Sequence, residues 1–392
     1  MKRVFACLLA VSLAIPAFSQ GKNTGDGGYD GDYASLIGRI THLEKKNDGF
    51  NLFLNVSSSF KASDEEGSWG TAFQARCIRL EIKGSFGKHL SYRLRHRLNS
   101  YQGSTVIEKF SKATDLMMLS WKFNDYVTVM GGKMCQFWGG FEYDENPLFI
   151  YEYSDLVNHM DIFLTGAAIA VTPWKGQEFV VNIADAYSNS LAQEYGGALP
   201  VLTDGTQVEA TRHPLTYIFN WNGSFAGGIF NTRWGIGAYN QAQNYWVKMI
   251  TLGQQLNLPK FQVYLDWNSS WESLDRTRIA STDLGDGKFF KDARYNSFVL
   301  KANWQFAPGW NLMAKGMYEM SSVADFKNYR TALGYIGALE YYPMKDQDLR
   351  IFICYAGRSY RFTEDALRAN PALSNHLTNR IEFGFMYRLK AY

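Results

Sequence analysis

Apolar and polar residues alternate along most of the chain after residue 49. In SYRLRHRLNS (residues 91–100), Arg93, Arg95 and Arg97 occupy the odd positions, and the even positions are mostly apolar: Tyr92, Leu94, His96 and Leu98. Successive side chains of a strand point to opposite faces, so this segment predicts a strand with three guanidiniums on one side. The same alternation predicts about sixteen strands, centred on residues 50–56, 78–82, 91–98, 117–123, 126–137, 162–172, 181–183, 215–221, 230–236, 245–252, 261–267, 298–306, 310–318, 335–341, 349–355 and 381–389.

The connections between these strands are of two kinds that alternate along the chain. Seven are tight and contain turn residues, at 84–88, 124–125, 173–177, 222–228, 256–260, 307–309 and 343–348. The others are mostly long and polar, at 99–114, 138–161, 188–213, 269–292 and 359–376. A soluble β-sandwich has no reason to alternate in this way and would leave the aromatic residues near the strand ends unexplained. We therefore predict an all-β fold, a transmembrane antiparallel β-barrel over residues 49–392 with short periplasmic turns and long external loops.

The first 48 residues differ from this pattern. Residues 1–19 combine Lys2 and Arg3, an apolar run and small residues near the end, which predicts a Sec signal peptide that is removed. Residues 20–48 are read as a Gly/Asp-rich linker followed by a short amphipathic helix, SLIGRITHLEKK. This helix either rests against the barrel or forms a periplasmic oligomerisation segment.

Composition supports this class of protein. Aromatic residues make up 16% of the chain, and no apolar run approaches the length of a transmembrane helix. Cys77, Cys135 and Cys354 are too few and too scattered for a disulfide framework or a metal site. Loss of Lys2 and Arg3 lowers the formal net charge from +3 to about +1, a near-neutral total that by itself says nothing about partners. We expect no nucleic-acid partner. No HExxH, P-loop or GxSxG motif is present, so we predict neither an enzyme nor a cofactor.

The polar face of the predicted strands is rich in basic residues. If the apolar residues face lipid, twelve basic residues face the lumen: Arg79, Arg93, Arg95, Arg97, Lys122, Arg233, Lys248, Lys301, Lys315, Arg350, Arg380 and Arg388. The same phase places five acidic residues there: Glu81, Asp266, Glu319, Glu340 and Glu382. Lysines and arginines that line a pore favour anions, and guanidiniums suit phosphate or carboxylate oxygens.

Two interpretations of these cations remain open. They can bind passing anions as an arginine ladder, or they can pair with an acidic loop that shapes a constriction. Glu142, Asp144 and Glu145, in the long connection after the fifth strand, are the candidates for that constriction loop.

Two positions break the alternation. His96 falls on the lipid face unless it lies near the membrane interface or a bulge changes the phase. Lys133 shares the phase of Val127 and Val129, a costly place for a charge. We expect a bulge at Gly131-Gly132 to turn Lys133 into the lumen.

The segment VTVMGGKMCQFWGGFEYDENPLFIYEYSDL (residues 127–156) resembles the phosphate-selective porin O and P family of Gram-negative bacteria. The resemblance rests on a valine strand that leads to Gly-Lys, and on Gly140 and Glu142 at the start of a long loop. The LEKK end of the N-terminal helix and the last strand, RIEFGFMYRL, are also similar to that family. The resemblance implies a 16-stranded, trimeric outer-membrane channel whose third loop folds inward and whose arginines and lysines guide phosphate.

The expected function is an outer-membrane porin for passive diffusion of small hydrophilic solutes, with a hypothesised preference for anions such as phosphate. Its expected partners are outer-membrane lipid, such solutes and two further copies of the chain. The alternative is a non-conducting barrel that acts as a surface adhesin or structural anchor. Small residues predicted in the lumen favour the channel, because an anchor should fill its interior: Ser91, Ser120, Gly235, Gly237 and Gly384.

Overall fold

A computed structural model describes residues 49–65, 67–100, 109–344 and 346–392. The predicted signal peptide (1–19) and the predicted linker and helix (20–48) lie outside the described residues. None of the helices in the described ranges is long and apolar enough to cross a membrane.

The described chain forms sixteen antiparallel strands that close into a barrel, as the alternation predicts. Each strand pairs with its neighbours in sequence, and β1 pairs with β16 from Phe53–Lys390 to Asp64–Asn379. The strands are β1 Asn51–Glu65, β2 Ser68–Phe86, β3 Leu90–Arg97, β4 Thr114–Lys122, β5 Val127–Cys135, β6 Phe163–Trp174, β7 Gln177–Asp185, β8 Leu215–Phe225, β9 Phe230–Ala242, β10 Tyr245–Asn257, β11 Phe261–Leu274, β12 Lys291–Ala307, β13 Trp310–Val323, β14 Phe326–Tyr341, β15 Asp348–Phe362 and β16 His376–Lys390.

The connections follow the predicted alternation with one correction. All seven predicted turns join strands at one end of the barrel. At the other end, five connections are long, but those between β1 and β2, β9 and β10, and β13 and β14 span only two residues. Strands β11, β12, β15 and β16 also extend further toward this end than predicted. Their tips carry polar residues on both faces, so the apolar alternation that marks a strand is lost there.

Short helices lie only in connections. The α-helices are α1 Phe141–Asp144, α2 Asp155–Asn158, α3 Leu191–Glu194, α4 Ile279–Leu284 and α5 Glu364–Ala369, and two 3₁₀ turns cover Pro147–Phe149 and Ala226–Gly228. The first two α-helices belong to the connection between β5 and β6, which we call loop 3 (residues 136–162).

The outer face of the barrel is apolar and exposed. In β13, Leu312 and Tyr318 are exposed, whereas Lys315 and Glu319, in the opposite phase, are buried inside. Removing apolar surface from water is favourable, so such a face is stable only against lipid.

The interior is more completely filled than the sequence indicates. One buried apolar cluster contains Phe137, Trp138 and Tyr143 of loop 3, and a second joins Phe141 and Leu148 to wall side chains. The wall members of the second cluster include Met313, Met317, Ile336, Phe352 and the free thiol Cys354. Loop 3 therefore has apolar as well as polar support inside the barrel.

Candidate channel and its constriction

Loop 3 carries six carboxylates and no lysine or arginine. It folds into the barrel, as the family resemblance implies, and its carboxylates meet cations on the inner wall. The loop therefore offsets the positive excess predicted for the wall.

Glu142 is the most completely bonded of these carboxylates. Its Oε1 lies 2.6 Å from Lys315 Nζ and accepts a hydrogen bond of 2.7 Å from the Ser154 backbone N–H. The Ser154 hydroxyl donates to the second carboxylate oxygen at 2.5 Å. The Glu142 backbone N–H in turn donates to Asp266 at 2.8 Å. One wall lysine and one wall aspartate thus fix the first turn of loop 3.

The other two predicted constriction residues also meet wall cations. Asp144 lies 3.4 Å from Arg233, and Glu145 pairs with Lys301. Hydrogen bonds to charged groups are stronger than neutral ones, so these pairs hold the loop across the lumen.

The carboxylates in the second half of loop 3 form ion pairs with wall arginines. The sequence analysis either missed these arginines or assigned them no partner. Glu152 lies 2.9 Å from Arg358 and 3.1 Å from Arg380, and Asp155 lies 2.7 Å from Arg358 and 3.0 Å from Arg330. Arg330 and Arg358 were missed because they sit near strand ends, where the apolar alternation that would assign them a face is weak.

Aromatic contacts complete the anchoring of loop 3. The Tyr151 hydroxyl donates a hydrogen bond of 2.8 Å to Glu340, which also accepts from Arg350 at 3.1 Å. The Arg350 guanidinium carbon lies 4.0 Å from the centre of the Phe149 ring. Burial raises the pKa of Tyr151 well above its usual range, so the phenol stays protonated and remains a donor.

Glycines in the wall make room for loop 3, which corrects their predicted role. A Cβ on Gly235 would lie 2.0 Å from the Trp138 carbonyl oxygen, and one on Gly237 would lie 2.8 Å from the Trp138 ring. These positions were expected to leave open lumen. They are small because the loop packs against them.

The arginine ladder is organised around an aspartate that the sequence analysis did not assign. Arg79, Arg95 and Arg97 lie 3.0, 3.3 and 3.0 Å from the carboxylate of Asp115. Asp115 shares the sequence phase of the lipid-facing Met117. The β3–β4 register passes from Arg95–Leu116 to His96–Thr114, so Asp115 is an extra residue in a bulge.

His96 keeps the phase of Tyr92 and Leu94 on β3, opposite to that of the buried Arg93 and Arg95. Its Nδ1 lies 3.1 Å from the Thr114 hydroxyl, at the point where the register changes. The bulge lies on β4 and leaves the phase of His96 on β3 unchanged, so it does not turn His96 into the lumen. His96 is the last residue but one of β3, at the end that carries the long loops.

The remaining ladder arginine pairs with Glu81. Arg93 lies 2.5 Å and Arg388 3.8 Å from Glu81 Oε1. Arg93 and Arg95 are buried, whereas the Arg97 side chain is 37% exposed. Arg97 is therefore the ladder residue in contact with water.

Lys133 is buried, but the predicted glycine bulge is not observed, because β5 pairs with β4 and β6 through Gly131, Gly132 and Lys133 without a register shift. Lys133 remains opposite Met117, which is exposed on the outer face. Gly132 has φ +115° and pairs with Gly166, and Lys133 is only 4% exposed. Its ammonium lies 5.9 Å from the centre of the Phe110 ring. Lys122 lies elsewhere, at the periplasmic turn, where it pairs with Asp125.

The prediction for Lys248 was wrong. Val247 and Met249 are buried inside the barrel, so Lys248 faces outward with Trp246 and Ile250. The segment YWVKMITL has apolar residues in both phases, and the alternation therefore does not decide its orientation.

A polar cavity of about 780 Å³ opens beside the second half of loop 3. Its lining includes the cations Arg278, Arg330, Arg358 and Arg380 and the carboxylates Glu152, Asp155 and Asp283. Burial raises the pKa of Asp283, although the neighbouring Arg330 opposes that change. We call this cavity the vestibule.

The model of the family described as phosphate-selective porin O and P matches residues 50–389, which covers the whole barrel. The chain belongs to this family. No curated protein matches the sequence. The family, the fold and the similar outer-membrane proteins below indicate an outer-membrane channel of a Gram-negative bacterium.

Solved structures show the same fold at low sequence identity. The outer membrane channel DcaP of Acinetobacter baumannii is 10% identical, with a TM-score of 0.58 over 88% of this chain and 99% of that one. An anion-selective porin from Comamonas acidovorans is 11% identical, with a TM-score of 0.53 over 87% and 99%. The trimer form of OmpT from Vibrio cholerae is 9% identical, with a TM-score of 0.53 over 87% and 100%.

Proposed function

We propose that the chain conducts small hydrophilic solutes by passive diffusion and prefers anions. The observation that carries the preference is the convergence of Arg79, Arg95 and Arg97 on Asp115. Three positive charges surround one negative charge there, so the local potential at that wall is positive. A low-dielectric wall focuses this potential into the lumen, where it concentrates mobile anions.

The path begins in the vestibule, which four arginines line together with carboxylates of loop 3. Guanidiniums offer forked donors that match phosphate and carboxylate oxygens. The anion-selective porin of Comamonas acidovorans has the same fold, which is compatible with this preference. The trimer form of OmpT likewise supports a homotrimer as the assembly.

The alternative, a non-conducting barrel that displays its loops, has one observation in its favour. Loop 3 fills much of the interior, with apolar clusters on both of its sides. Because an anchor should fill its interior, this arrangement fits an anchor better than the small lumen residues in the sequence indicated.

Reversal potentials in planar bilayers separate these functions. With purified full-length protein under a KCl gradient, we expect the sign of the reversal potential to show that chloride is more permeant than potassium. Added phosphate should reduce the chloride current. Arg97→Ala should move the reversal potential toward zero, because Arg97 is the exposed member of the cluster. Arg361→Ala is the matched control, since Arg361 is exposed on the outer face near the same end of the barrel.

Each result decides between the functions. Cation selectivity, or an Arg97→Ala channel with unchanged selectivity, would refute the anion preference and leave a porin governed by acidic loop 3. Folded protein that never conducts would support the anchor.

A further inference from the structure

Lys248 is a charged residue on the lipid-facing wall. It is the fourth residue of β10, it is exposed, and its outward neighbours along the strand are Trp246 and Ile250. A lysine at the bilayer midplane of a barrel costs about 2–4 kcal/mol, but near an interface the cost falls to about 0–1 kcal/mol. The depth of Lys248 therefore decides what it can do.

The register places a second cation at the same level. Lys248 is opposite Trp271 of β11, and Trp271 is opposite Arg294 of β12. Directly opposite residues of antiparallel strands share a face, so the three side chains form one outward row, which we call the basic row. The Arg294 guanidinium carbon lies 5.3 Å from the centre of the Trp271 ring, and Arg294 is exposed.

The basic row lies near the end of the barrel that carries the long loops. Lys248 and Arg294 are each the fourth residue of their strands, and Trp271 is the fourth from the end of β11. At about 3.3 Å per residue, the row is roughly 10 Å from the strand ends. Aromatic residues form girdles at the membrane interfaces of barrels, so the outward Trp271 indicates that the row lies at the interface on the side of the long loops.

Within the described ranges, the carboxylate nearest to the basic row along β12 is that of Asp292, which is exposed two residues from Arg294 on the side of the long loops. In these ranges, neither Lys248 nor Arg294 forms an ion pair with an aspartate or glutamate. Lys248 and Arg294 lie on either side of Trp271, two strands apart, with no ion pair of their own in the described ranges, so the row can accept an external anion.

An apolar groove of about 650 Å³ begins at the basic row and runs deeper into the membrane. Lys248, Trp271, Ala238 and Tyr217 form its upper part, and Ile236 and Ile250 lie in rows further from the loops. Ala238 is small, so it leaves a depression between the larger Tyr217 and Lys248. The groove therefore presents a cation above and apolar walls below.

We propose that the basic row and its groove bind a phosphate-bearing lipid of the outer leaflet. The phosphate lies between Lys248 and Arg294, and an acyl chain lies in the groove below. The lysine acts as a point charge and the guanidinium as a forked donor. The choice of a lipid over free phosphate follows from the continuous apolar groove, which inorganic phosphate cannot use. This inference is independent of whether the lumen conducts.

Lipid binding to the full chain tests the proposal directly. The probe is lipid A with two phosphates, titrated onto purified protein in detergent and measured by native mass spectrometry. Monophosphorylated lipid A and phosphatidylethanolamine serve as comparison lipids. The wild type should retain bisphosphorylated lipid A most tightly.

Removing the cations should weaken that binding in steps. Each basic residue near an anionic headgroup contributes about fivefold in affinity, so Lys248→Gln and Arg294→Gln should each cost about fivefold and the double variant roughly thirtyfold. The double variant Lys175→Gln/Lys260→Gln removes two cations at periplasmic turns and should bind like the wild type. If the neutral double variant does not fold, Lys248→Arg/Arg294→Lys should fold and keep the binding.

Three results would overturn the proposal. The first is equal lipid A binding by wild type and the neutral double variant. The second is an affinity for inorganic phosphate that equals the affinity for the lipid. The third is loss of oligomer without loss of lipid in the neutral double variant, which would assign the basic row to a contact between copies of the chain.

Discussion

The inner wall neutralises its cations differently on its two sides. On strands β2 and β3, Arg79, Arg93, Arg95 and Arg97 meet Asp115 and Glu81, which belong to the wall itself. On strands β9–β15, Arg350 pairs with Glu340 of the wall, whereas four wall cations have a carboxylate partner in loop 3: Arg233, Lys301, Lys315 and Arg358. The first side is a fixed property of the barrel, whereas the second depends on where the loop lies.

This difference assigns two roles to similar residues. The cations opposite loop 3 position the constriction, because each is joined to a loop carboxylate. The arginines around Asp115 set the charge of the wall, because three of them share one wall carboxylate. The three predictions below separate these roles, beginning with the largest expected effect.

Asp115→Asn should have the largest effect. It leaves three guanidiniums around a neutral amide, and breaking a buried ion pair by removing one partner costs about 3–5 kcal/mol. The free energy of unfolding in urea, followed by the mobility difference between folded and unfolded barrels on gels, measures this loss. Any folded variant should also be more anion-selective than the wild type.

The control is Asp125→Asn, which removes an exposed carboxylate paired with Lys122 at the periplasmic turn. Exposed pairs contribute about 0–1 kcal/mol. Equal losses of unfolding free energy in Asp115→Asn and Asp125→Asn would show that the Asp115 cluster stabilises the barrel no more than an exposed ion pair does.

Glu142→Gln should have an intermediate effect, on the loop more than on the barrel. Glutamine keeps one oxygen that can accept a hydrogen bond from Ser154, but its NH₂ group cannot accept the other, and Lys315 loses its carboxylate, a loss of about 1.5–3 kcal/mol. We expect larger current fluctuations in planar bilayers, because loop 3 is less firmly held. Glu364→Gln, at the exposed start of α5, should leave the current unchanged. A quiet Glu142→Gln channel would mean that the other contacts hold the loop without Glu142.

Gly235→Ala should have the smallest effect of the three. Its Cβ would meet the Trp138 carbonyl oxygen at 2.0 Å, so loop 3 must shift where it leaves the wall. Overpacking of this kind costs about 1–3 kcal/mol. Gly337→Ala is the matched control on β14, because no atom lies within 4 Å of its added Cβ. Equal stability of the two variants in urea would contradict tight packing of loop 3 at Gly235.

The constriction shows how far the sequence can predict a site. The acidic character of Glu142, Asp144 and Glu145 and the basic character of the facing wall are both readable from alternation. Which carboxylate meets which cation is not, since the partners are about 90 to 170 residues apart and a one-residue change of register would exchange them. Asp115 was missed because a bulge in β4 turns its side chain to the face opposite to the one that simple alternation assigns.

The sequence by itself determined the strand number, the closed barrel, the seven short turns and the family. These depend on a period of two and on turn residues, which are local properties. Only the tertiary structure decided that loop 3 fills the lumen, that three arginines share Asp115, and that Lys248 faces lipid. Those outcomes depend on packing between distant segments, on strand register and on bulges. A bulge or a change of register can turn a side chain to the face opposite to the one that alternation assigns.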